Sequence, residues 1–132
     1  MDIEIFTLCD AAADYSGRLN ILGVFDTIFA TQVPAMHPLL SVVFRARFKR
    51  IEAGAHPVML HVVDDDGGMV VPPLEGRLDV QMPAGLQVAS ANLVFNFGNV
   101  QFSKFGEYAI NIAIDNQEVG SLPFWVKKHP ST

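Results

Sequence analysis

Cysteine is almost absent from these 132 residues. Cys9 stands alone, so no intrachain disulfide can form and a reducing compartment is the simpler setting. Charge is sparse at 17% of residues and leans acidic, with nine Lys and Arg against fourteen Asp and Glu, a net charge of −5. That balance excludes a general nucleic-acid binder, which needs a basic excess to displace counterions. The basic start and apolar stretch of a secretory signal are missing too, because Asp2 and Glu4 oppose both. A cytoplasmic location is the expectation. Long apolar runs are also lacking. The two extended charge-free stretches, 27–44 and 80–103, are broken by Pro34, His37 and Pro38, and by Gln81, Pro83, Asn92, Asn96 and Asn99. Such polar groups would need internal partners in lipid, so no membrane span is expected.

Half the residues are hydrophobic, which excludes intrinsic disorder and supports one core over residues 1–132, with 128–132 read as a short flexible tail. No window carries helical periodicity over three turns. Period-2 alternation dominates instead. Leu40, Val42, Phe44, Ala46 and Phe48 alternate with Ser41, Arg45, Arg47 and Lys49, as in a strand with one face on a core and one in water. Val58, Leu60 and Val62 repeat the pattern, as do Leu78, Val80 and Met82 over residues 77–82, then Ala89 to Phe97. Tyr108, Ile110, Ile112 and Ile114 run into a turn at 115–118, and Leu122, Phe124 and Val126 return. Pro123 lacks an N–H, so it predicts a strand edge or a bulge. Residues 3–8 form a further strand, and 19–29 another that is apolar on both faces, with Gly23 marking a bulge or a close backbone approach. The count is about eight strands, an all-β, antiparallel, immunoglobulin-like β-sandwich. Tyr108 after Phe105-Gly106-Glu107 matches a tyrosine corner, whose hydroxyl bonds an upstream backbone group.

Catalytic constellations are missing. There is no Gly-x-Ser-x-Gly elbow, and Cys9 precedes Asp10, whose carboxylate raises a thiol pKa, so Cys9 reads as a small buried apolar residue. A hydrolase would have to rest on an unrecognised pair such as His61 with Asp64. His37, His56, His61 and His129 share no ligand spacing. Asp64-Asp65-Asp66 could offer carboxylates to Ca²⁺, but Gly67-Gly68 makes the segment a turn, so no metal and no cofactor are expected. Phosphate-binding glycine loops do not occur. The row Arg45, Arg47 and Lys49 is the one charge feature that could meet an anionic ligand or partner. The competing reading pairs it with cross-strand carboxylates such as Glu75 or Asp79. Phe44 and Phe48 point away from that row, so it lacks the interleaved aromatics of a nucleic-acid face.

Surplus apolar residues give the stronger lead. Trp125, Val43 and Met59 fall on nominally outer faces, and with the segment 19–29 they predict an exposed patch of the kind that marks an interface. The stretches 1–12 (MDIEIFTLCDAA) and 19–26 (LNILGVFD), with Phe44–Phe48, Leu74–Gly76, Ser90–Leu93, Phe105–Tyr108 and Ser121–Pro123, resemble a small bacterial single-domain family, a domain of unknown function. That resemblance implies a stand-alone all-β protein and supplies no activity or cofactor. The functional expectation is a non-enzymatic binding or assembly module, a homo-oligomer with room for a protein partner. The alternative is a sandwich binding a small anion or sugar through Trp125 and the Arg45/Arg47 face.

Overall fold

A computed structural model describes residues 1–130. Nine strands follow one another: β1 (Asp2–Tyr15), β2 (Arg18–Val24), β3 (Thr27–Ala30), β4 (Ala35–Lys49), β5 (Gly54–Asp64), β6 (Leu74–Val80), β7 (Val88–Phe102), β8 (Gly106–Ile114) and β9 (Gln117–Lys128), with a 3-10 turn at Arg50–Glu52. They form two packed sheets, β2-β1-β4-β7 and β3-β9-β8-β5-β6. The period-2 pattern dictates the core. Leu40, Val42, Phe44, Ala46 and Phe48 of β4 share it with Val58, Leu60 and Val62 of β5 and Ile110, Ile112 and Ile114 of β8, all buried. At one side Gly76 lets β6 approach β7, since a Cβ there would stand 3.2 Å from the Phe95 ring.

The segment 19–29 is two strands rather than one, which accounts for nine strands where eight were expected. At Phe25-Asp26 the chain leaves the first sheet for the second. Phe25 N–H donates to the Leu8 carbonyl at 3.0 Å, and Trp125 N–H donates to the Asp26 carbonyl at 2.9 Å. β3 then joins β9 in parallel, the one departure from antiparallel pairing among the described residues. Gly23 marks the close approach its position predicted. It has φ +71°, opposes Asp10 without a register shift, and a Cβ there would lie 2.3 Å from Asp10 Oδ2.

β1 pairs with β4 as far as Cys9 and beyond it only with β2. The resulting two-stranded arm folds back over the outer face of the first sheet, and Asn92 Nδ2 donates to the Gly17 carbonyl at its tip, at 3.1 Å. This arm explains why Val43 and Ser41, expected on a wet face, are 0% and 1% exposed. Ser41 keeps a partner by donating to Asn96 Oδ1 at 2.7 Å, as a buried hydroxyl must.

Tyr108 is buried and donates its hydroxyl to the Lys104 carbonyl at 2.6 Å. This is the expected corner geometry. Its ring stacks on Phe124 at 5.4 Å and meets Phe102 edge-on at 5.1 Å. Pro123 sits where β9 has no outer neighbour, because β3 pairing begins at Trp125. The bulge in β9 is at Val119 instead. Lys128 and His129, read as the start of a loose tail, are tied down: Lys128 pairs with Ala30, and His129 N–H donates to the Ala30 carbonyl at 2.7 Å. Residues 131 and 132 of that tail lie outside the described residues.

Candidate functional site

The basic row is built on the outer face of β4, and its counter-charge comes from an unexpected strand. β1 pairs Ile3 with Ala46 and Ile5 with Arg45, leaving Glu4 as an extra residue in a β-bulge. Bulges re-aim side chains, and this one turns Glu4 between the two guanidinium groups. Arg45 Nε donates to Glu4 Oε1 at 3.2 Å, and Arg47 Nη2 donates to Oε2. Ser90 adds a hydrogen bond at 3.2 Å, and Asn92 Oδ1 accepts from Arg45 Nη1 at 3.0 Å. Desolvation works to raise the Glu4 pKa, but Arg47, Ser90 and Arg45 together hold it below the ordinary carboxylate range. Neither Glu75 nor Asp79 takes this role; Asp79 pairs with Arg77 at 3.2 Å on the other sheet. Lys49 lies further along, exposed, and makes no ion pair among the described residues. One carboxylate thus answers two guanidinium groups, and the row of Arg45, Arg47 and Lys49 keeps an excess of positive charge.

Trp125 does not join it. Its neighbours Phe124 and Val126 point into the core, so Trp125 lies half-buried on the outer face of the second sheet, with Lys127 Nζ 5.8 Å from its ring centre. A ligand held between Trp125 and Arg45/Arg47 would have to reach through the sandwich. Of the outer-face residues expected to form one patch, Val43 is covered by the arm, whereas Met59, like Trp125, is half-buried on the outer face of the second sheet.

The acidic segment is the turn its glycines predicted. Asp64 Oδ1 accepts from Asp66 N–H at 2.9 Å and from Gly68 N–H at 2.8 Å. The ligand oxygens of Asp64, Asp65 and Asp66 lie within 4.8 Å of one another, but Lys104 Nζ sits among them, 2.7 Å from Asp65 and 2.7 Å from Asp66. Those two hydrogen bonds raise the Lys104 pKa. Nothing near Lys104 in the sequence identified it, because its partners are about forty residues away.

The remaining chemistry-bearing residues are dispersed. Cys9 is fully buried, and burial, then Asp10, push its thiol pKa up, which leaves it a poor nucleophile. His61 faces outward opposite Asn111 and makes no hydrogen bond to Asp64, which is occupied by its own turn. Ser121 donates to Asn111 Oδ1 at 2.6 Å, and an amide oxygen cannot serve as the base a serine nucleophile requires.

Exposed large apolar side chains lie at several places, Ile51 and Met69 among them, and three share the arm. In the arm, Tyr15 is cross-strand from Arg18, Ala11 from Leu22 and Cys9 from Val24. That face carries Tyr15, Leu22 and Val24, at 74%, 70% and 63% exposed, while Leu19 and Ile21 turn inward and are half-buried. At the β2–β3 corner Phe25 separates two grooves. One, of about 280 Å³, is lined by Leu8, Val24, Leu122 and Pro123 among others. The other, of about 240 Å³, is lined by Asp10, Thr27, Ile28, Phe29 and His37. Phe29 and, on β4, Met36 and Leu39 are more than half exposed nearby in the chain's order. The apolar surplus of 19–29 is legible in the sequence but its outlet is not, because only the fold-back of the arm decides which half is covered.

No helix among the described residues is long and apolar enough to cross a membrane. No curated protein matches the chain. A family model does, over residues 4–127, which agrees with the resemblance read from the sequence. This all-β chain therefore belongs to the family of unknown function DUF6941.

Proposed function

We propose that this protein is a non-enzymatic assembly and binding module that meets a second copy of itself through the outer face of the β1–β2 arm and the adjoining β2–β3 corner. The observation that carries this reading is the exposure of Tyr15, Leu22 and Val24 on one face of the arm. Apolar side chains exposed to this degree are costly in water and mark interfaces; Arg18, cross-strand from Tyr15, is the charged residue on the same face. A stable dimer takes roughly 800 Å² from each partner, so the three side chains would be joined there by the walls of the grooves beside Phe25. The immunoglobulin-like character we assign rests on the Tyr108 corner. The bacterial cytoplasm we assign is supported by the lone, buried Cys9, which needs no oxidising compartment.

The test is native mass spectrometry of untagged protein, alongside Leu22→Glu. The expected result is a clean multiple of 14.4 kDa for the native chain and a monomer for the variant, with unchanged circular dichroism. A native monomer carrying an added small molecule or a foreign chain would replace self-association with that ligand or partner. A bare monomer would refute the proposal.

A further inference from the structure

His56, on β5, is gripped at both ring nitrogens by groups that can only accept. Nδ1 lies 2.8 Å from Asp115 Oδ2, and Nε2 faces the backbone carbonyl of Glu52. A neutral imidazole has a single N–H and can satisfy one of them, leaving its lone pair against the other oxygen. Only the imidazolium donates to both. The side chain is 17% exposed, stacks on Phe48 at 5.7 Å with an interplanar angle of 19°, and walls a cavity of about 190 Å³ with Met1, Ile114 and Val119.

The two acceptors belong to different parts of the fold. Glu52 ends the 3-10 turn that follows β4. Asp115 opens the two-residue turn between β8 and β9, where Asp115 and Asn116 have φ of 54° and 65°. That turn is tied to β5 a second time, by Asp115 N–H donating to the Pro57 carbonyl at 3.1 Å. We infer that protonated His56 is a pH-set clasp, joining the 3-10 turn and the β8–β9 turn over one end of the core and releasing the β8–β9 turn when the proton is lost. The charged groups around it are the Asp115 and Glu52 carboxylates and the Met1 amino group, which pairs with Glu52 Oε2 at 3.2 Å. The hydrogen bond to the Glu52 carbonyl, and then Asp115, raise the His56 pKa against the opposing desolvation. The sign follows: the clasp is fully closed below the pKa of an unfolded histidine and opens as pH rises through the higher folded value.

The experiment is an NMR titration of the histidine ring resonances in native and denaturant-unfolded protein, with amide exchange followed at Asp115. The His56 resonance is assigned by its loss in His56→Gln. The expected result is a native midpoint above the unfolded one, lowered in Asp115→Asn. Protection of the Asp115 amide, corrected for intrinsic exchange, should fall as pH passes that midpoint. A native midpoint at or below the unfolded value would overturn the inference. So would protection of Asp115 that ignores the titration. Should His56→Gln fail to fold, the assignment and the test both stand on Asp115→Asn, which keeps a residue that tolerates positive φ in the turn.

Discussion

Tyr108→Phe isolates the corner hydrogen bond, because it deletes one oxygen and leaves the ring between Phe102 and Phe124. A net hydrogen bond contributes about 1 kcal/mol, and an acceptor left dry costs about 1–3 kcal/mol. The Lys104 residue is half-buried, so its carbonyl recovers part of that loss from water, and the expected destabilisation is about 1–2 kcal/mol. Unfolding entropy of about 2.1 cal/mol/K per residue, taken over 132 residues, turns this into a fall in Tm of roughly 4–7 °C. The assay is urea unfolding by intrinsic fluorescence at fixed protein concentration, since self-association would make stability depend on it. The m value should not change. Tyr108→Ala, which also opens a cavity, should lose about 3–5 kcal/mol. A Tyr108→Phe loss below about 0.3 kcal/mol would show that the hydroxyl does not hold the corner. A loss equal to that of Tyr108→Ala would show that the ring had moved, and either result refutes the reasoning.

Three further outcomes are expected. Gly23→Ala should cost about 1–2 kcal/mol, because φ +71° disfavours any Cβ and this one meets Asp10; Asp10→Ala should recover part of the loss, and strict additivity in urea unfolding would disprove the contact. Glu4→Gln should leave Arg45 and Arg47 without their counter-charge and give sulfate a larger stabilising effect on Tm than in the native chain; equal sulfate responses would show that Glu4 does not neutralise the row. Glu52 has its pKa lowered from 4.5, first by the hydrogen bond from Lys49 N–H. Its contribution is therefore present above that ordinary value and lost as pH falls through the lower folded one, so the fall of Tm on acidification should be shallower in Glu52→Gln.

Alternation along the chain determined the strands and the side each residue shows to the core, because a strand's side chains point to opposite faces with a period of two. For that reason Leu40 to Phe48, Val58 to Val62 and Tyr108 to Ile114 were legible from the order of residues alone. So were the Asp64–Gly68 turn and the Tyr108 corner, which depend on neighbours in sequence. Period two does not say what lies over an outer face. Whether Val43 is wet or dry was decided by an arm that begins thirty residues earlier and folds back across it. The same holds for charge: Glu4 meets Arg45 and Arg47 only because a single-residue bulge in β1 turns it toward them, and Lys104 meets Asp65 and Asp66 across a gap in sequence. The partners of His56 arrive from two separate turns. Local sequence sets the preference of each segment, whereas the pairing of distant segments depends on register and on the crossing between sheets, and these are properties of the assembled core.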